Sequence, residues 1–184
     1  MNPIVELTRA YHFAALKHVN QRRKGEAAEP YVNHLTEVAE LAARATEGNL
    51  EVVIAAVLHD AVEDVGVTAE ELRSEFGAAV AALVMEVTDD KSLPKETRKR
   101  LQVEHAGHAS WGARVIKLAD KTSNLRALAA SPPAGWSRER REEYVAWASR
   151  VVDRCRDANP WLAEQFDAAA SALGRRNMRE RDVR

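Results

Sequence analysis

From Leu50 to Leu58 every residue except Glu51 is apolar, and the run stops abruptly on His59 and Asp60. An apolar stretch of about eleven residues is long for a strand, and it falls well short of the roughly 20 that would cross a bilayer. Its valines and Ile54, taken alone, also suit a buried strand. The flanking segments favour a helix buried on most sides, because both carry a helical period. Leu7, Tyr11, Ala14, Ala15 and Leu16 form one apolar stripe between Val5 and His18; Val32, Leu35, Val38, Ala39, Leu41 and Ala42 form a second, which Gly48 ends. A helix with no solvent face needs other helices around it, so an all-α fold is expected.

The rest of the chain agrees. Thr68 and Glu71 are spaced as a capping box opening a short helix to Phe76, and another follows through Val80, Leu83, Val84 and Val87. A helix is predicted from Leu93 towards Glu104, one over Ala113–Leu128 after the glycines at 107 and 112, and one over Ser137–Cys155. The last, over Asn159–Leu173, has Asn159 as cap and Pro160 at its first position. Six prolines and eight glycines in 184 residues leave few breaks. The expectation is a single all-α domain of eight to ten helices over residues 1–175. A basic, disordered tail over 176–184 follows, since five of the ten residues after Gly174 are arginine.

Charge narrows the function. The 27 Lys and Arg nearly balance the 28 Asp and Glu, which argues against DNA or RNA binding by bulk charge while permitting a local basic pocket for a small polyanion. The single cysteine, Cys155, excludes an intrachain disulfide and a cysteine-based metal site. The first residues lack the basic-then-apolar order of a signal peptide, and a cytoplasmic protein with no membrane partner is expected. Trp111, Trp136, Trp147 and Trp161 suit either core packing or an interface, which leaves monomer and homo-oligomer both open.

Two places carry chemistry. His59-Asp60 ends the apolar helix, with Glu63 and Asp64 each one turn further on if the helix continues. Asp120 interrupts the apolar pattern of a later helix, flanked by Lys117 and Lys121, either of which would serve as its salt-bridge partner. His34 opens the second helix. So many acidic and imidazole groups beside one apolar segment are costly without a cation, and this mixture suits Mn, Fe, Co or Zn better than Ca. His12 and His18 read as surface or packing residues, while His105 and His108 remain ambiguous.

The order His34, His59-Asp60, Asp120 resembles that of the HD-domain metal-dependent phosphohydrolases. The likeness extends to the hydrolase domain of RelA/SpoT alarmone enzymes, and is strongest to the single-domain small alarmone hydrolases of the metazoan SpoT-homologue type. It is carried by RRKGEAAEPYVNH (Arg22–His34), AAVLHDAVEDVGVTAEEL (Ala55–Leu72), FGAAVAALVMEVTDDKSLPKETRKRLQVEH (Phe76–His105), VIKLADKTSNLRAL (Val115–Leu128) and GWSRERREEYVAWASRVV (Gly135–Val152).

The resemblance implies hydrolysis of guanosine tetra- or pentaphosphate to GDP or GTP plus pyrophosphate. It implies one Mn ion on His34, His59, Asp60 and Asp120, and Glu63 and Asp64 as the catalytic acids. Arg23, Lys24, Asn124, Tyr144, Lys95 and Lys121 would contact substrate, with Lys99 and Arg140 or Arg141 as looser pyrophosphate contacts. Two departures stand out. Leu35 replaces a proline after the metal histidine, and Thr122-Ser123 replace Leu-Tyr, which is expected to remove an aromatic contact near the nucleotide and affect base specificity. Two alternatives stay open: an HD-type enzyme for another phosphoester (an NADPH 2′-phosphatase or a nucleotidase), and a non-catalytic nucleotide sensor.

Overall fold

The computed structural model describes residues 2–182, with side chains through Met178. Among the described residues ten α-helices run in the order α1 (Pro3–Lys17), α2 (Val32–Ala45), α3 (Leu50–Leu58), α4 (Ala61–Val65), α5 (Ala69–Phe76), α6 (Ala78–Val87), α7 (Lys95–Ala106), α8 (Trp111–Ala130), α9 (Arg138–Asp153) and α10 (Pro160–Asp182), with a 3-10 turn at Arg156–Ala158. No strand occurs among the described residues, only an isolated bridge between Arg22 and Pro30. No helix there is long and apolar enough to cross a membrane.

The apolar run is the centre of this arrangement. Asn49 caps α3, its side-chain oxygen accepting from the Val52 amide at 3.2 Å, and every residue from Val52 to Leu58 is buried. Helices α1, α2, α6 and α8 surround it. At about 1.5–3 kcal/mol for each fully buried valine, leucine or isoleucine, α3 is held by packing far more than by intrinsic propensity. The first turn of α8 approaches closely because residue 112 is glycine: a Cβ there would lie 2.9 Å from a Leu83 methyl and 3.1 Å from one of Val52. Helix α8 is thereby fixed beside both α3 and α6, and it also packs against α2, α9 and α10.

Three boundaries differ from the sequence expectation. Helix α8 starts at Trp111, capped by Ser110, so Gly112 lies inside it. Helix α7 starts at Lys95, because Ser92 closes a turn onto the Asp90 carboxylate with both its amide and its hydroxyl. Helix α10 continues through Gly174 to Asp182, where a disordered tail was expected: Arg176 donates to the Ala129 carbonyl and Asn177 is buried, so the segment is tied to the end of α8. Residues 183 and 184 of the expected tail lie outside the described residues.

Candidate metal centre and cleft

The end of α3 delivers His59 and Asp60 into a break in the helix. Helix α4 begins at Ala61, yet the Asp64 amide still donates to the Asp60 carbonyl at 2.9 Å, so the one-turn register predicted for Glu63 and Asp64 survives the interruption. His34 comes from the first turn of α2 and Asp120 from the middle of α8. Their side chains converge with those of the break. His34 Nε2 lies 3.3 Å from Asp120 Oδ1 and 3.6 Å from Asp60 Oδ2, and His59 Nε2 lies 3.0 Å from Asp60 Oδ2 and 3.8 Å from Asp120 Oδ1.

The protons on the two imidazoles follow from their neighbours. His59 Nδ1 donates to the Ala56 carbonyl at 2.8 Å, which can only accept. His34 Nδ1 sits 2.9 Å from Ser123 Oγ, whose own hydrogen is committed to Glu37 Oε2 at 2.7 Å, so His34 donates there. Both Nε2 atoms therefore face the carboxylates, and the buried Nε2 of His59 has no hydrogen-bond partner. His34, His59 and Asp120 present donor atoms within 4.8 Å of one another, with Asp60 alongside. Two Nδ1-anchored histidines and two carboxylates, each with an atom turned inward, are a donor set suited to a divalent cation.

Electrostatics agree. Burial lowers the His34 pKa and keeps the ring neutral. Burial alone would also lower that of His59, but Asp60 and Asp120 reverse the effect and hold it well above the usual histidine range. Burial would raise the carboxyls of Asp60 and Asp120. The His59 ring overrides it for Asp60 and the Lys121 ammonium for Asp120, leaving both low and ionised. The site thus demands positive charge, which a bound cation supplies as well as a proton does. Asp60 is also steadied by the Tyr31 hydroxyl, which donates to Oδ2 at 2.6 Å.

Glu63 and Asp64 lie beside this centre on α4. Asp64 accepts from Gln21 at 2.7 Å and from Lys91 at 2.6 Å. Glu63 accepts from the Asp89 amide at 3.3 Å, with the Arg98 guanidinium 3.6 Å away. Burial, reinforced by the charges of Asp89 and Asp60, raises the Glu63 pKa above the ordinary glutamate value. A carboxylate with that bias takes up a proton more readily than an exposed one.

The acids open into a cleft of about 870 Å³, bordered by Lys95, Arg98, Lys99, Lys117, Lys121 and Arg140. It runs into a second chamber of about 370 Å³ lined by Arg23, Lys24, Asn124, Trp136 and Tyr144, several of which face both spaces. The loop carrying Arg23 is fixed against the end of α8. The Ala27 amide donates to Ser131 Oγ at 3.0 Å, and Gly25 lies so near Ser131 that a Cβ would collide with its carbonyl. Arg23 in turn donates to Asn124 Oδ1 at 3.1 Å, and Asn124 Nδ2 donates to Asp120 Oδ1 at 2.6 Å, linking the chamber to the centre.

Most residues singled out from the sequence therefore meet in one place, with instructive exceptions. Lys121, not Lys117, pairs with Asp120, at 2.7 Å, and it is nearly buried over the Trp147 ring. Of the two arginines on α9, Arg140 borders the cleft, stacked on Trp136 at 4.5 Å; Arg141 is buried and does not line it. Thr122 and Ser123 are fully buried, and Ser123 faces His34 rather than the smaller chamber, so the expected loss of an aromatic contact there does not describe its place. His18 is buried, stacked on Tyr31 and hydrogen-bonded to Gln21, which holds Asp64. His12, His105 and His108 are exposed.

Sequence reasoning gave no place at the site to Tyr31, Arg98 or Gln21, and read Trp136 as core or interface where it lines the cleft. Only Tyr31 had a usable signal, a lone aromatic between the basic loop and His34.

Comparison with known proteins agrees with this picture. A family model described as an HD domain matches residues 10–151. The guanosine-3′,5′-bis(diphosphate) 3′-pyrophosphohydrolase MESH1 of Danio rerio is 51% identical over 161 residues, covering 87% of this chain and 89% of that protein. The human protein of the same name is 50% identical over 160 residues, covering 86% and 89%. A solved structure described as a metazoan ortholog of SpoT that hydrolyses ppGpp superposes with a TM-score of 0.85 at 45% identity, over 89% of this chain and 93% of that one.

Proposed function

The chain belongs to the HD-domain family, and from that premise we propose that it is a Mn-dependent hydrolase of guanosine-3′,5′-bis(diphosphate), releasing pyrophosphate from the 3′ position. GDP is the second product, or GTP when the substrate is the pentaphosphate. The observation that carries this reading is the convergence of His34, His59, Asp60 and Asp120 next to Glu63 and Asp64, at the mouth of a cleft with a cationic rim. Relatives that share about half of their residues with this chain along most of its length bear the matching activity in their names.

In this mechanism His34, His59, Asp60 and Asp120 would hold the ion, which would supply Lewis acidity. Glu63, biased towards proton uptake, accepts the proton of the water that attacks the 3′-phosphorus. The bond from that phosphorus to the ribose O3′ breaks, and O3′ takes up the proton that Glu63 received from the water. Asp64, fixed by Gln21 and Lys91, orients the same water or serves the leaving oxygen. Lys95, Arg98, Lys99 and Arg140 offset the charge of the pyrophosphate groups. Arg23, Lys24, Asn124 and Tyr144 hold the nucleoside end, Arg23 and Tyr31 already lying as a guanidinium over a ring at 5.8 Å. Lys121 acts through Asp120 instead of through substrate.

Arg23→Ala is expected to raise KM roughly 2–30-fold with kcat little changed, the range that about 0.5–2 kcal/mol of guanidinium–ring attraction represents. Steady-state kinetics on the tetraphosphate check this; a lowered kcat at constant KM contradicts the assignment. The function itself is tested by giving Mn-reconstituted protein ppGpp, NADPH and simple nucleoside phosphates side by side. Equimolar GDP and pyrophosphate from ppGpp are expected. Turnover of NADPH or a nucleotide with ppGpp untouched assigns the cleft to another phosphoester, and no turnover at all with the ion bound returns the chain to a sensor.

A further inference from the structure

Ser123 is fully buried on α8, on the side of His34 away from the carboxylates. Its hydroxyl has two tasks. It donates to Glu37 Oε2 at 2.7 Å, and its lone pair receives the Nδ1 hydrogen of His34 at 2.9 Å. Glu37 is itself pinned, because Arg126 donates to its other oxygen at 3.1 Å and to Gln165 at 3.0 Å. Four side chains from α2 and α8, with Gln165 of α10 bracing Arg126, thus form a network in which every hydrogen has a definite owner: His34 donates to Ser123, and Ser123 and Arg126 both donate to Glu37. A hydroxyl alone does not fix a tautomer, since it can either donate or accept. Glu37 removes that freedom: a carboxylate only accepts, so Ser123 must donate to it and must accept from His34.

We infer that Ser123 and Glu37 are positioning residues which lock His34 with its Nδ1 protonated and its Nε2 turned bare towards the metal centre. This rests on the metal assignment proposed above. Without the Glu37 oxygen, the Ser123 hydroxyl is free to turn and donate to His34 Nδ1. The ring hydrogen then moves to Nε2, the atom that must hold the ion. Hydrogen-bond partners of metal-binding histidines commonly control about 10–100-fold in metal affinity. Neither residue touches substrate in this arrangement, and their effect is on the affinity of the centre.

The test is a Mn titration followed by the electron paramagnetic resonance of the free ion, on wild type, Ser123→Ala, Glu37→Ala and Glu37→Gln, with folding verified by circular dichroism at the temperature used. Ser123→Ala and Glu37→Ala are expected to weaken Mn binding about 10–100-fold. Glu37→Gln, which keeps an oxygen for Ser123, restores most of the loss. A residue with a purely structural role lowers the melting temperature of metal-free protein but leaves the affinity of the folded form unchanged. Wild-type affinity in both alanine variants overturns the relay while leaving the metal centre standing. A wild type that does not bind Mn overturns the metal assignment and the relay with it. If Ser123→Ala does not fold, the Glu37 pair decides by itself, because Glu37 is partly exposed and its loss leaves no cavity in the core.

Discussion

Glu63→Gln is expected to retain its metal in full and to lose about 10²–10⁴-fold in kcat, the usual contribution of a positioned general base. The substitution keeps the size of the side chain and an oxygen for the Asp89 amide, which donates to Glu63 at 3.3 Å. What disappears is the ability to take a proton. Burial and the neighbouring charges of Asp89 and Asp60 raise the Glu63 pKa, so the wild-type rate should fall with decreasing pH from a point above the ordinary glutamate value. The variant should lack that acidic limb. Stability moves in the opposite sense. A carboxyl raised in the folded state opposes folding while it is ionised, and the penalty is relieved as pH falls through its folded pKa. At neutral pH the glutamine protein is therefore expected to melt no lower than wild type. Metal analysis beside a pH–rate profile checks the whole set, and a rate near wild type removes Glu63 from the mechanism.

Asp60→Ala is the second large effect, and it differs in kind. Asp60 Oδ2 lies within 3.6 Å of both imidazole nitrogens and is held by Tyr31. Without it the centre loses a carboxylate and much of the negative charge that attracts a cation. Metal content should fall from one ion per chain to none at micromolar Mn. Turnover should drop at least about 10³-fold, since the several kcal/mol a Lewis acid contributes corresponds to that factor. The fold should survive. The variant leaves the Tyr31 hydroxyl without its acceptor, at a cost of about 1–3 kcal/mol, and takes from His59 one of its two carboxylate neighbours, a loss the ring meets by going neutral, whereas truncating Asp120 would strand the buried Lys121 ammonium beside it. Elemental analysis of dialysed protein decides the matter, and retained stoichiometry excludes Asp60 as a ligand.

Much of this was legible in the sequence because the strongest signals were local. The apolar α3 could be satisfied only inside a helical bundle, and its sudden end at His59-Asp60 marked the place where burial and charge meet. The periods of α1, α2 and α8 then followed, and so did the caps at Asn159 and Thr68. Residues whose roles depend on the facing side chain were not legible. Ser123 reads as a lost aromatic until Glu37, 86 positions away, is seen to take its hydrogen. Lys117 and Lys121 look equivalent in sequence, but rotation of α8 brings only one of them to Asp120. The arginine-rich end of α10 carries no apolar pattern, so nothing in its composition shows the tertiary contact to Ala129. Trp136, in a loop opened by prolines, shows its place only when Arg140 and Tyr144 close around it.

The proposed chemistry depends on one cation lying among four particular side chains. Anomalous diffraction from a Mn-soaked crystal, recorded on both sides of the Mn absorption edge, tests this directly. The account predicts one strong peak per chain, within about 2.0–2.3 Å of His34 Nε2, His59 Nε2 and an oxygen each of Asp60 and Asp120, as is usual for first-row ions with nitrogen and oxygen donors. A peak that lies elsewhere, or no peak from protein still able to consume ppGpp, contradicts it.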